Sequence, residues 1–286
     1  MIRLSNGHSF EYMSASGALG YDGLGWPWEQ PWRWVGLLNP TLFTSVTKTL
    51  TLRPTIGNLC WYNPFRSIRL IRGGVVNAVG LSNPGLEWWM QTIGHRVDST
   101  RVPLIVSIQG TPEELSFMAV ALNRFDLVGL EINASCPNTG MIAWPETENV
   151  LTGLAAVKAR TRFPVILKLS TRHDVQTIVP AVEAQIDAFS INSVPWEQAF
   201  PAEQSPLYKL GGGGVSGRAA QPFTWDLVQK LVSLTTVPVI APSIWEYDDL
   251  ARVRQLGAQA VSFGSVFLRY PWRPTLFVRR DREVMK

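Results

Sequence analysis

Residues 127–134 read LVGLEINA, a short apolar run that ends in polar side chains. Seven more runs of this kind are spread along the chain. Largely unbroken apolar runs are typical of parallel strands, because helices cover both faces of a parallel sheet. The eight predicted strands are 9–16, 42–48, 103–109, 127–134, 164–170, 188–193, 238–243 and 260–265.

Helical patterns fill most of the gaps between these runs. Thr111 and Pro112, followed by two glutamates, form a typical helix start, and Gly257 is a typical helix end. The predicted helices are 111–125, 146–161, 174–186, 224–234 and 246–257. Strands that alternate with helices predict parallel β/α units. Eight units favour a (β/α)8 TIM barrel, with an open doubly wound sheet as the alternative, and we expect a single domain over residues 1–286.

Segment 50–83 interrupts the alternation. Its two extended stretches, LTLRPTIGN and SIRLIRGGVVNAVGLSN, predict a hairpin excursion after the second strand. In a barrel this excursion would rise from the C-terminal face, where active sites are built.

The composition limits the classes of function. With 46% hydrophobic and 17% charged residues, the chain can bury a sizeable core. Its net charge of +4 comes from scattered basic residues, which favours a phosphate or carboxylate ligand over nucleic acid. Two cysteines and three separated histidines predict neither a disulfide framework nor a metal site. Without a signal pattern or a long apolar run, we expect a soluble cytoplasmic protein with no membrane partner.

Polar side chains end nearly every predicted strand, and in a barrel they would meet at one mouth. Lys48 and Lys168 stand inside otherwise apolar runs. A buried lysine needs an anionic partner or a ligand, so one of them could form a structural ion pair. Two at the same end favour a ligand with anionic or electron-rich oxygens.

The run GGGGVSG at 211–217 allows two interpretations. It could be a flexible loop. Alternatively, its backbone N–H groups could bind a phosphate, as the last two loops of such barrels often do. No G-x-x-x-x-G-K-[ST] pattern occurs, and no G-x-G-x-x-G pattern follows a predicted strand.

Several motifs together resemble a known family. They are SASGALG (14–20), SVTKTLTLRPTIGN (45–58), NAVGLSNPG (77–85), EINASCPN (131–138) and GGGGVSGRAAQP (211–222). In this order they resemble the class 1 dihydroorotate dehydrogenases, FMN-dependent barrel enzymes of pyrimidine biosynthesis. The resemblance implies oxidation of dihydroorotate to orotate.

The resemblance also implies roles for individual residues. Cys136 would be the base that removes the C5 proton of dihydroorotate while a hydride leaves C6 for N5 of the flavin. Lys48 would lie between substrate and flavin, as the second catalytic residue. For an arbitrary cysteine, a buried small hydrophobe would be the better interpretation. The implied substrate-binding residues are Lys48, Asn77, Val79, Gly80, Leu81, Asn133, Asn138, Asn192 and Ser193. The implied flavin-binding residues are Ala15, Ser16, Gly17, Lys48, Thr49, Asn133, Lys168, Ile191, Ser193, Gly217, Ser243, Gly264 and Ser265.

Three features depart from the family pattern. Ala241, Pro242 and Ser243 stand where relatives carry a glycine pair, so one N–H donor is lost and a weaker hold on FMN is expected. Ser107 stands where relatives often carry asparagine. The segment WPWEQPWRW (26–34) is either an aromatic patch on outer helices or on another subunit, or a reshaped rim of the mouth.

Other functions stay open at this point. The chain could be an FMN oxidoreductase of another cyclic amide or ene, or a non-catalytic relative. Within class 1, some enzymes are homodimers that use fumarate, and others pass electrons to a partner subunit with an iron–sulfur cluster and FAD. A homodimer is expected here. Fumarate, NAD through a partner, and a quinone remain alternative acceptors.

Overall fold

Eight short strands run parallel in one sheet in the structure, a computed structural model that describes residues 1–60, 63–134 and 147–284. They are β1 Tyr12–Ser14, β2 Thr44–Val46, β3 Leu104–Ile108, β4 Gly129–Asn133, β5 Val165–Leu169, β6 Ala188–Ile191, β7 Ile240–Ala241 and β8 Ala260–Phe263. All eight lie within the predicted runs.

The sheet closes into a barrel. Its order is β6-β5-β4-β3-β2-β1-β8-β7, and a parallel bridge between Phe189 and Val239 joins the two ends. The Phe189 N–H donates to the carbonyl of Pro238 over 2.8 Å at this junction. The predicted (β/α)8 barrel is therefore confirmed, and the open doubly wound sheet is wrong.

Helices surround the barrel. They are α1 Gln30–Trp34, α2 Gly85–Thr92, α3 Pro112–Leu122, α4 Thr147–Lys158, α5 Val175–Val182, α6 Trp196–Ala199, α7 Gln221–Leu234, α8 Asp249–Gln255, α9 Ser265–Arg269 and α10 Arg273–Val284. The five predicted helices correspond to α3, α4, α5, α7 and α8. Thr111 begins α3 with a capping box, because its hydroxyl accepts from the Glu114 N–H and the Glu114 carboxylate accepts from the Thr111 N–H. Helices α1, α2, α6, α9 and α10 were not predicted.

Side chains inside the barrel are arranged in layers. Apolar residues such as Met13, Val46, Ile105 and Ile166 fill the amino-terminal end. The N-terminal hairpin, Ile2–Arg3 paired with Ser9–Phe10, packs its apolar side chains into the same cluster. Since successive side chains of a strand point to opposite faces, the residues two positions further along each strand form the next inward layer. That layer faces the carboxyl ends of the strands.

The predicted excursion is a hairpin of Ile68–Ile71 and Gly74–Asn77. It belongs to a larger antiparallel sheet, here named the cap sheet, whose other strands are Gly214–Gly217 and Val194–Pro195. The interpretation of the glycine run as a flexible loop is therefore wrong for its last four residues. At Gly74 a Cβ would lie 2.1 Å from the Ser216 carbonyl oxygen, so this pairing requires glycine.

Candidate active site

A cavity of about 680 Å³ lies at the carboxyl ends of the barrel strands, between them, the cap sheet and segment 26–34. Every predicted site residue within the described part of the chain lines it. They are Ala15, Ser16, Gly17, Lys48, Thr49, Asn77, Val79, Gly80, Leu81, Asn133, Lys168, Ile191, Asn192, Ser193, Gly217, Ser243, Gly264 and Ser265. Cys136 and Asn138 lie outside the described residues. The structure thus brings the described residues together, while their roles stay predictions.

A buried carboxylate supports the floor of this cavity. Glu131 is 1% exposed and accepts from Lys168 Nζ at 2.8 Å and from Ser107 Oγ at 3.0 Å through Oε1. Its Oε2 accepts from Ser190 Oγ at 2.9 Å. The structural ion pair considered for one of the two lysines is therefore present at Lys168, which also lines the cavity. A buried ion pair of this kind needs additional hydrogen bonds to offset its desolvation, and the two serines supply them.

A chain of polar contacts connects Asn133, through Thr49 and Ser107, to the accepting carboxylate of Glu131. An ionised carboxylate only accepts, so the Ser107 hydroxyl proton is committed to Glu131. The Thr49 hydroxyl lies 3.0 Å from Ser107 Oγ and 3.0 Å from Ser16 Oγ. The Ser16 proton is donated to the Thr47 carbonyl, so Thr49 donates its proton to one of these two serines. Thr49 Oγ1 in turn accepts from Asn133 Nδ2 at 3.1 Å. This chain fixes the Asn133 amide with its nitrogen toward Thr49 and its oxygen on the other side.

Glu131 was missed by the sequence analysis, although it is part of the motif EINASCPN. The signal that finds it is the alternation of strand side chains, since residue 131 shares a face with Asn133. Residues 107, 168 and 190 are inward-facing by the same argument. Ser107, noted as a departure from the family, is therefore a member of the polar layer.

Lys48 lies directly below the first loop. Gly17 has φ +77° there, and a Cβ at this position would lie 3.3 Å from Cβ and Cγ of Lys48. The next loop residue toward the strand, Ser16, donates from Oγ to the Thr47 carbonyl at 2.9 Å. The lysine stem is thus packed against backbone, which restricts where its ammonium group can reach within the cavity.

The loop after the cap-sheet hairpin has an unusual backbone. Gly80 and Leu81 both have positive φ, +65° and +58°, and for leucine this conformation is strained. The excursion holds the loop in place, since the Val79 carbonyl accepts from the Asn58 N–H at 2.9 Å. The Leu81 carbonyl accepts from Asn83 Nδ2 at 2.6 Å. Strain maintained at a cavity wall is typical of functional sites.

The altered turn after β7 is fixed from helix α7. Pro242 and Ser243 both line the cavity, and Ser243 has φ +67°, where glycine is the favoured residue. Trp225 Nε1 donates to the Pro242 carbonyl at 3.1 Å, and Gln221 Nε2 donates to the Ser243 carbonyl at 3.0 Å. The Ser243 hydroxyl lies 3.2 Å from Thr224 Oγ1. The expected weaker hold on FMN stays a prediction.

The tryptophan-rich segment forms one wall of the cavity. Trp26 and Trp28 stack at 5.1 Å and both line it, and Trp26 Nε1 donates to the Gly17 carbonyl at 2.9 Å. Glu29 lines the same wall at 1% exposure, and its burial raises its pKa to about 7 against the hydrogen bond from the Trp26 N–H. Further along, Trp32 packs on Trp272 at 4.9 Å. The segment therefore matches both interpretations, as a rim of the mouth and as an aromatic patch on the outside of the barrel.

Two other features are absent from the described residues. Over residues 1–60, 63–134 and 147–284, no group of three or more His, Cys, Asp or Glu side chains could hold a metal ion. Within the same ranges, no helix has the length and apolar character needed to cross a membrane.

Comparison with known proteins identifies the family. The family model for dihydroorotate dehydrogenase matches residues 37–272. The chain belongs to the dihydroorotate dehydrogenase family. The predicted resemblance is therefore confirmed.

Curated relatives named "Dihydroorotate dehydrogenase B (NAD(+)), catalytic subunit" support this family assignment. The protein of Desulforudis audaxviator is 36% identical over 236 residues, covering 79% of this chain and 75% of the relative. That of Geobacter metallireducens is 30% identical over 262 residues, covering 88% and 82%. That of Thermococcus kodakarensis is 30% identical over 252 residues, covering 85% and 80%. Dihydroorotate dehydrogenases are oxidoreductases, and the chain is assigned to that enzyme class.

Proposed function

We propose that this protein is a single-domain FMN-dependent barrel enzyme that oxidises dihydroorotate to orotate in pyrimidine biosynthesis. The observation that carries the proposal is the convergence of the predicted residues on one cavity in a chain of this family. Amides, a lysine ammonium and backbone turns from separate segments meet there. We place the reaction in the cytoplasm, which fractionation of cells can test.

The cavity fits a flavin mononucleotide. Its volume of about 680 Å³ lies within the range of small-molecule sites. The strand ends and turns at Ala15, Gly17, Gly217 and Gly264 bring backbone close to the cavity, as a planar ring and a phosphate require. Lys168, held by Glu131, offers a fixed positive charge to the electron-rich edge of the ring. When bound, FMN supplies the acceptor for the hydride that leaves C6 of dihydroorotate.

The substrate would be bound by amides. Asn77, Asn133 and Asn192 line the cavity, and an amide can both donate to and accept from a pyrimidine ring. The oriented Asn133 amide presents its oxygen away from Thr49, so it would accept from a ring N–H. Lys48 would balance the negative charge of the substrate carboxylate. Asn138 completes the set by family resemblance.

Proton removal is assigned to Cys136. Its Sγ would take the proton from C5 of dihydroorotate. A free thiol has a pKa of about 8.5, so the cations of the site would favour the thiolate form. The assignment rests on the motif EINASCPN and on family resemblance.

The test is flavin reduction by dihydroorotate in stopped-flow absorbance with Cys136→Ala. The variant should keep its bound FMN and lose about 10²–10⁴-fold in the reduction rate. Cys136→Ser should keep a trace of activity with its optimum at higher pH, because a hydroxyl is harder to deprotonate. If the flavin of Cys136→Ala is reduced at a rate within a factor of two of the parent rate, Cys136 is not the base. If the parent protein binds no flavin, the proposed function is wrong.

We propose that this chain forms a homodimer and that a separate partner subunit binds to it and receives its electrons. The names of the relatives describe catalytic subunits that act with NAD. Exposed apolar side chains at the mouth, among them Trp28, Phe65 and Leu70, are typical of an interaction surface. Co-purification with the native host's proteins tests the partner. Reoxidation of the reduced flavin by fumarate, NAD and a quinone, compared with and without that partner, identifies the acceptor.

A further inference from the structure

A second cavity, of about 310 Å³, lies on the other side of the tryptophan-rich region. We name it the arginine cleft after three of its lining residues, Arg33, Arg101 and Arg279. Gln30, Asn39 and Trp34 also line it. It shares no lining residue with the catalytic cavity among the described residues. No acidic side chain of the described chain lines it.

Three distant parts of the chain supply its cations. Arg33 belongs to α1, Arg101 precedes β3, and Arg279 belongs to α10. Arg33 Nη1 donates to Gln30 Oε1 at 2.9 Å, and Arg279 Nη2 donates to the Gly36 carbonyl at 3.2 Å. Each guanidinium has five N–H donors, so these anchors leave most donors available to a ligand.

No described carboxylate neutralises these arginines at close range. None of the three lies within 4.0 Å of an acidic oxygen in the described residues. Asp22 and Asp98 interact electrostatically with Arg33 and Arg101, but neither acid forms an ion pair with them. Like charges gathered around one cavity repel each other until an anion occupies it. Guanidinium groups match the oxygen geometry of phosphate particularly well.

Trp34 adds an aromatic surface to the cleft. It is 81% exposed, although a tryptophan usually buries most of its area. An indole face beside cations is suited to stacking on a planar ring. The volume, at the low end for small-molecule sites, suits a single small molecule. We propose that the arginine cleft binds a phosphate monoester that carries an aromatic ring, of the nucleoside monophosphate class.

Isothermal titration calorimetry tests this site. The protein is saturated with FMN and orotate to occupy the catalytic cavity, and is titrated with inorganic phosphate, ribose 5-phosphate and uridine or adenosine 5′-monophosphate. A nucleotide should bind more tightly than ribose 5-phosphate. Arg101→Met and Arg279→Met should each weaken nucleotide binding about tenfold or more, since each removes charge-assisted hydrogen bonds. Trp34→Ser should remove the advantage of the nucleotide over ribose 5-phosphate.

Arg160→Met is the matched control, because it removes the same charge from an exposed position outside the cleft. It should leave nucleotide affinity unchanged. The proposal is overturned if no monophosphate binds at millimolar concentration, or if both cleft arginine variants bind like the parent. Equal affinity for nucleotide and ribose 5-phosphate overturns the role of the ring. Binding of an RNA oligonucleotide without binding of monophosphates would overturn it in favour of a macromolecular anion.

Discussion

At the scale of single residues, Glu131 determines how the barrel tolerates the charge of Lys168. The side chains of this pair are 1% and 8% exposed, respectively. We expect Glu131→Gln to lower the free energy of unfolding by about 3 kcal/mol, because it leaves the ammonium without its counter-charge. Urea unfolding of the flavin-free protein measures this. In the Lys168→Met background the same change should cost much less, and an equal cost in both backgrounds would show that the ion pair is not the cause.

Glu29 should make stability depend on pH near neutrality. Burial raises its pKa from 4.5 to about 7, so the folded state holds a proton that the unfolded state releases first. The contribution of Glu29 to the free energy of unfolding is fully present below pH 4.5, and it is lost as the pH rises through 7. In this range the unfolded state has released the proton and the folded state still holds it. Glu29→Gln should remove that loss, which amounts to about 3 kcal/mol at pH 8.

Thermal unfolding of Glu29→Gln between pH 5 and pH 8 tests this expectation, with exposed Glu203→Gln as the control. A parent and a Glu29→Gln variant that differ by the same amount at both pH values would show that Glu29 is already ionised at pH 5.

Residue-level prediction succeeded where the polar side chain ends a strand. Lys48, Asn133 and Asn192 were identified because strand ends converge on the mouth of any barrel. Glu131 and Glu29 were not identified. Glu131 lies inside an apolar run. Glu29 belongs to a segment outside any predicted strand, and its position depends on how the tryptophans of that segment pack.

At the scale of elements, the turn between β7 and α8 combines strain with fixed contacts. Ser243 is in the left-handed region, which costs an L-residue roughly 1–2 kcal/mol, while glycine adopts it freely. Ser243→Ala should therefore destabilise the protein by about 1 kcal/mol more than Ser243→Gly, since both lose the hydroxyl contact with Thr224. Chemical denaturation of both variants measures the difference. Equal stability of the two would show that the turn relaxes without strain.

Helix α10 is attached to the barrel through a buried acid. Asp281 Oδ1 accepts from Arg254 Nη1 at 3.0 Å, and its Oδ2 accepts from the Tyr12 hydroxyl at 2.6 Å. Burial tends to raise the pKa of Asp281, but the hydrogen bonds from Arg254 and Tyr12 outweigh it and hold this pKa below 3.8. Glu11 shares the same guanidinium.

Asp281→Asn should lower the free energy of unfolding by about 2 kcal/mol at pH 7, less than for a fully buried pair because Arg254 is partly exposed. A carboxylate with a depressed pKa stabilises above its unfolded value and loses this effect as pH falls through the folded value. The difference from the parent should thus shrink below pH 3.8. Denaturation at pH 7 and pH 3 decides this, and a constant difference would point to packing instead of charge.

Elements with local signals were predicted well. The apolar runs gave all eight barrel strands, and the Thr111 cap gave the start of α3. The strand Gly214–Gly217 was not predicted, because its partner Gly74–Asn77 lies about 140 residues earlier and no local preference of a glycine run reports it. Helix α10 was missed because its sequence is strongly polar overall, with four arginines in Arg273–Val284, and only part of its buried face is apolar.

At the scale of the whole molecule, the number of predicted strand–helix units favoured a (β/α)8 architecture. That number does not determine whether the sheet closes into a barrel. Closure depends on pairing between Phe189 and Val239 and between β1 and β8, which are contacts across large separations in sequence. The same alternation of strands and helices also suits an open sheet. Only the geometry of strand tilt and the filling of the interior separate the two.

The pairing of β1 with β8 also sets the order of events during biosynthesis. Tyr12 lies beside Val261, so the first barrel strand has no partner on that side until residues 260–263 have left the ribosome. The cap sheet likewise waits for residues 214–217 to join a hairpin made much earlier. Long-range closure of this kind makes folding slow and leaves strand edges open meanwhile. Because residues of the cap sheet and of the β8 end line the catalytic cavity, that cavity is complete only after residues 260–265 have been synthesised.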